Sequence, residues 1–368
     1  MMGKLQFCLL PLVSALMLTS CSETPAEPAS TNSMKMALPV AHSNNAVAKA
    51  EGSNGTLLFS FNGLKSGKTF RDASKQAFVC DVIAEQCKAM DDLPVAQGRL
   101  ASAAVTVANI VYVFGGYTIE EDGTEVSTPE TFALDPITLE YTRKADMPVP
   151  VDDMVVLSYQ DRYIYLVSGW HDEANVKFVQ VYDTKLNRWF RATDYPGRPV
   201  FGHAGGIVDG AIIIADGVAV VEVVNNKRKF GAINEVWRGD IDPTDPSVIS
   251  WSPQKPHDGK PLYRMASAGD KPKGRVVFAG GSDNPYNYNG IGYDGKPSRA
   301  SSKIFSFDIK ENIWREIGEM EKPSMDHRGL IVMDDNAYIL GGMDDDRNVL
   351  DTVTKISLRD EGQSPLAQ

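Results

Sequence analysis

The 368-residue sequence predicts an all-β chain, a six-bladed β-propeller whose last blade is closed by an N-terminal strand. Three observations carry this reading. One strand pattern recurs along the chain, an Asp is followed six residues later by an aromatic in several copies, and the final copy lacks a fourth strand.

Residues 1–20 read as a secretory signal peptide. Lys4 supplies a positive charge, residues 5–18 form an apolar run broken by Pro11, and Thr19 and Ser20 precede Cys21. The run is shorter than the roughly 20 residues that a spanning helix needs. Leu18-Thr19-Ser20-Cys21 resembles the bacterial lipobox, which implies acylation at Cys21 and a membrane anchor through that lipid. Cleavage without acylation is the alternative. Within that class Ser22, in place of Asp, implies the outer membrane of the cell envelope. Residues 21–32, rich in Ser, Thr, Pro, Glu and Ala, read as a flexible tether, 33–358 as the propeller and 359–368 as a polar tail.

Net charge is −11, with Lys and Arg scattered, which argues against nucleic acid as a partner. The acidic runs Asp152-Asp153 and Asp344-Asp345-Asp346 lack the ligand spacing of a calcium loop and read as solvated loops. No cofactor or metal motif is present in the sequence. Of four cysteines, Cys8 leaves with the signal and Cys21 carries lipid. Cys80 and Cys87 remain, a disulfide if their strands are neighbours and two buried thiols otherwise.

The repeat is an alternating strand, a β-rich strand ending in Gly-Gly, a loop, a strand ending in Asp, and the aromatic. Asp135 leads to Tyr141, Asp183 to Trp189 and Asp308 to Trp314 at one spacing, and Asp81 leads to Cys87 where the others carry a ring. Asp242 and Trp251 keep the order with an insertion. Tyr112-Val113-Phe114-Gly115-Gly116 matches segments ending at Gly169, Gly217, Gly281 and Gly342, and 57–63 is a degenerate first copy. The Asp is expected to cap its own turn and the aromatic to fill the gap between blades. The missing fourth strand of the last copy is assigned to residues 33–37.

This signature resembles the kelch repeat, over nearly all of the chain from residue 33. Turns between the first two strands are short (Ala108-Asn109, Asp209-Gly210, Asp335-Asn336), whereas the loops after the glycines, 117–130, 218–233 and 282–302, are long. These long loops share one face with the links between blades, so a ligand, glycan or protein, is expected there. Candidate ligand-binding residues are Arg99, Tyr117, Trp170, His171, Arg264, Asn284, Tyr286, Tyr288, His327 and Arg328. Arg99 and Arg264 equally suit hydrogen bonding within the channel.

An exported six-bladed kelch layout also resembles the N-acetylneuraminate epimerase (sialic-acid mutarotase) family. That resemblance implies a carbohydrate isomerase in which a Glu exchanges protons and an Arg holds the substrate carboxylate. The family's Glu position is Val218 here; the nearest acid is Glu222 and the nearest following base Arg228, with His203 a possible acid–base partner. The alternative is a binding module without catalysis.

Overall fold

A computed structural model describes residues 31–359, with side chains from Met36 onward. The expected signal peptide, Cys21, most of the expected tether and the tail beyond Arg359 lie outside these residues. Among the described residues there are six four-stranded antiparallel sheets and three two-stranded hairpins. The sheets are the blades. In chain order their innermost strands are Ala46–Gly52, Ala103–Val107, Val155–Tyr159, Ala204–Val208, Ala266–Asp270 and Ile331–Met333.

The sixth blade takes its outermost strand from the other end of the chain. Thr31–Ala37 pairs antiparallel with Thr352–Ser357, Ser33 opposite Thr354. The expected closure is therefore observed, and it covers an edge that would otherwise offer unpaired backbone groups.

Repeated local chemistry explains why each copy folds alike. The carboxylates of Asp81, Asp135, Asp183, Asp242 and Asp308 each accept two backbone N–H groups of the turn that follows. The aromatic after that turn packs between blades and ties to the preceding blade's exit. Trp189 Nε1 donates to the Ala145 carbonyl and Trp314 Nε1 to that of Lys255, both at 2.9 Å. Six apolar clusters fill the six gaps between blades. A seventh, holding five buried aromatic rings, lies at the mouth of the axial channel. Two-residue turns join the first two strands in four of the six blades. Val107 faces Ile110 across Ala108-Asn109, but Met333 faces Asn336, so the last turn is Asp334-Asp335, one residue earlier than its sequence suggests.

Where each link enters an inner strand, one residue adopts a left-handed conformation: Asn44, Ala101, Asp153, Gly202, Arg264 and Asp326, with φ between 52° and 69°. These residues ring the channel. The N–H of Asp153 donates to the carbonyl of Ala101, Gly202 to Asp153, Arg264 to Gly202, and Asn44 to Asp326; His327 donates to Arg264. The result is a collar of backbone hydrogen bonds that passes from blade to blade. Gly202 is required in it, since a Cβ there would lie 2.0 Å from the Tyr263 ring.

Cys80 and Cys87 stand directly opposite each other in the hairpin of blade one and form a disulfide. Crosslinking so short a loop restricts the unfolded chain modestly. Replacing both residues by Ser is expected to lower stability by roughly 2 kcal/mol, read as a lower urea midpoint with an unchanged slope.

Candidate functional site

The residue before each left-handed position pairs, through a single β-bridge, with the residue just after the second-strand glycine. Leu100 pairs with Tyr117, Asp152 with Trp170, Phe201 with Val218, and Tyr263 with Ser282. Each long loop therefore starts at the channel mouth. Three loops continue as hairpins that rise from this face: Tyr117–Ile119 with Glu125–Ser127, Trp170–His171 with Ala174–Asn175, and Val218–Val224 with Lys227–Ala232.

Together with the 283–293 loop they enclose a cleft of about 520 Å³ over blades two to five. Its walls carry Tyr117, Trp170, Phe230, Tyr288 and Tyr293, and its floor carries Asp153, Arg264 and Tyr286. The rings brace one another. Phe230 stacks on Tyr293 with centroids 4.3 Å apart, and meets Trp170 and Phe201 at 5.8 Å. Tyr263, under the floor, touches both Phe201 and Tyr286 edge to face.

A buried charge network supports the floor. Arg264 donates from Nε and Nη2 to Asp153 and from Nη1 to Asp326, the last at 2.7 Å. Arg328 adds a second cation, with Nη1 2.6 Å from Asp153 Oδ1. Burial alone would push the Asp153 carboxyl up, but Arg264 and Arg328 outweigh it and hold it below the usual carboxylate range. Its neighbour Asp152 has no such cation against it. Burial and the charge of Asp153 drive the Asp152 carboxyl well up, while Ser127 Oγ donates to it at 2.6 Å. Below the network a second cavity of about 430 Å³ forms the axial channel, lined by the inner strands.

Of the residues expected to bind ligand, Tyr117, Trp170, Arg264, Tyr286 and Tyr288 meet in the cleft. The others have different duties. Arg99 is buried against Glu130 at 2.6 Å and anchors its loop. Asn284 Nδ2 donates to Asp294 within its own loop. His171 lies half-exposed beside Asp172, outside the lining. His327 and Arg328 face the channel below.

The three catalytic candidates are not brought together. Glu222 is exposed on its hairpin and paired with Lys229 at 2.7 Å. His203 is buried between blades, Nε2 bonded to the Val167 carbonyl at 2.9 Å, and burial with Arg328 nearby lowers its pKa to about 3. Only Arg228 reaches the cleft, its guanidinium 5.3 Å from the Trp170 ring centre. The reading of Asp152-Asp153 as a solvated loop is also overturned, since both are buried at 2% exposure. Asp344 and Asp345 do lie on a loop, where Asp344 caps its own turn and Asp345 pairs with Arg299.

Sequence reasoning missed Glu125, Asp153, Phe230 and Tyr293. For Asp153 a signal existed, because it holds the same place in its repeat as Arg264 and Asp326, with charge opposite to the former. Tyr293 closes the 283–293 loop, whose Asn, Tyr and Gly suit stacking on flat ligands, so a signal existed there too. For Phe230 none did, because its role depends on how far its hairpin leans inward.

Comparison with known proteins agrees with the fold. No protein-family model matches the chain. A 112-residue stretch, 30% of the chain, is 29% identical to Kelch-like protein 15 of Gallus gallus and 28% identical to that of Danio rerio. The stretch covers 22% and 18% of those proteins, so the chain spans about a fifth of the relatives it matches. The solved structure of YjhT aligns with a TM-score of 0.69 over 90% of this chain and 99% of that one, at 14% identity, which speaks to the fold alone.

Removing the shared carboxylate takes from Arg328 its ion-pair partner and leaves Arg264 to Asp326 alone. Asp153→Ala is expected to cost about 3–5 kcal/mol in urea unfolding. The depressed pKa also sets a direction with pH. The Asp153 contribution is full above about pH 4, the unfolded carboxylate's value, and is lost as pH falls through the lower folded value. Wild-type stability should therefore fall on acidification below that point, and Asp153→Ala should flatten the fall.

Proposed function

Taking the chain as a kelch-type six-bladed propeller, we propose that it binds a glycan in the cleft of its long-loop face. One observation carries this reading: a cavity of about 520 Å³ walled by aromatic rings, with carboxylates and a guanidinium set between them. The volume falls within the roughly 300–1,000 Å³ of small-ligand sites. Sugar rings present apolar C–H faces that stack on aromatics and hydroxyls that bond to carboxylates, and the cleft supplies both kinds of partner. Tyr288, Tyr293 and Phe230 are only half-buried, which leaves ring surface for a ligand to cover.

Isomerisation of a sugar on this face needs a proton-carrying group beside the ligand. The acid–base candidates that the family resemblance offers, Glu222 and His203, stand outside the cleft. This favours binding over isomerisation by those residues, although the cleft's own lining holds carboxylates such as Glu125. Export with lipidation at Cys21 belongs to the same proposal. The Cys80–Cys87 disulfide supports it, because such bonds persist in oxidising compartments.

A glycan panel scored by saturation-transfer NMR tests the reading. At least one oligosaccharide should bind, and Tyr293→Ala or Phe230→Ala should weaken it about tenfold without unfolding the protein. Failure of the folded wild type to bind any member would overturn the proposal. Anomer-exchange NMR on any glycan that binds should show no acceleration by the protein.

A further inference from the structure

The cleft holds more negative charge than its arginines can balance. Arg264 is fully engaged, its donors divided between Asp153 and Asp326. Arg228 donates from Nη1 to the Glu173 carbonyl at 2.9 Å and lies over Trp170. Against these two cations the lining sets Glu125, Asp153, Asp172 and Glu173, four carboxylates, not counting Asp152, whose charged form burial disfavours. The balance is about two negative charges, and Glu125, Asp172 and Glu173 carry it at the exposed rim of the cleft.

Glu125 is the carboxylate best placed to act on a ligand. It stands on the strand Glu125–Ser127 at the cleft wall, and its charge bears on Tyr117 and Tyr293. Asp153 carries two arginines, and Asp172 Oδ1 accepts the Ser127 N–H at 3.0 Å. Glu125 holds no comparable bond. Glu125 is exposed at the cleft rim, where partial loss of hydration raises its carboxyl above the usual range, opposed by Arg264 and Arg228 and reinforced by Asp153. A cation brought by the ligand would relieve that penalty, and the ring faces around it suit an ammonium group.

We propose, building on the glycan reading, that the preferred ligand carries a free protonated amine, as in an oligosaccharide of unacetylated 2-amino sugars, with the ammonium held by Glu125. The same charge balance disfavours acidic sugars, since a ligand carboxylate would meet unpaired carboxylates and only one accessible guanidinium.

Calorimetry at about pH 6, where amines are protonated, separates the possibilities with three probes: a glucosamine tetrasaccharide, its fully N-acetylated counterpart and N-acetylneuraminic acid. The amine form should bind at least about tenfold more tightly than either other probe, with added salt narrowing the gap. Glu125→Gln should bring the two tetrasaccharides to equal affinity. Equal or tighter wild-type binding of the acetylated or the acidic probe overturns the inference and leaves the glycan reading standing. A preference that survives Glu125→Gln overturns the assignment of Glu125. If none of the three binds, the amine inference falls, and the glycan panel decides the broader reading separately.

Discussion

Six links converge on the propeller axis, and each must turn into an inner strand without leaving a backbone N–H unpaired inside the protein. The collar meets that demand. In four links the left-handed residue's N–H reaches the carbonyl of the link before it, and in a fifth the next residue, His327, does so, so one blade's donor finds the neighbouring blade's carbonyl. For a residue other than glycine this conformation costs roughly 1–2 kcal/mol. An unsatisfied buried N–H costs a comparable amount, so the strain is offset where it arises.

The collar also decides which side chains meet at the axis. Asn44, Asp153, Arg264 and Asp326 occupy equivalent places in four repeats, and all are buried at 3% exposure or less. Their charges compensate only across the channel, with Arg264 bridging Asp153 and Asp326. The bridges beside them then hold Tyr117 and Trp170 at the mouth. The cleft is thus placed by the same backbone geometry that closes the ring, while its chemistry is set by what each loop adds above it.

The fold was legible because its determinants are local and repeated. Asp183 caps a turn within three residues of itself, and Trp189 follows at a spacing that the turn dictates. The site was legible only in part, because its determinants join different blades. Nothing near Asp153 in sequence announces that its partners are Arg264 and Arg328, more than a hundred residues away. Sequence places Glu222 and His203 on one face of the same repeat, with Glu222 the acid nearest the position of the family's Glu. A hairpin carries the first out into solvent, and packing between blades buries the second. The residues found correctly, Tyr117 and Trp170, directly follow the repeat's glycines, where a local rule fixes position.

The strand pairing that closes the ring imposes an order in time. Ser33 is made among the first residues of the body, yet its partner Thr354 follows roughly 320 residues later. Until then Thr31–Ala37 has no sheet to join, and blade six has no outer strand. Loop closure over such a separation costs only logarithmically in free energy, but contacts this distant in sequence are slow to form. The ring therefore closes as a late event, after the other five blades have all the residues they need. An interruption of synthesis between residues 325 and 352 would leave five complete blades beside an unpaired strand, a state prone to capture another chain's edge.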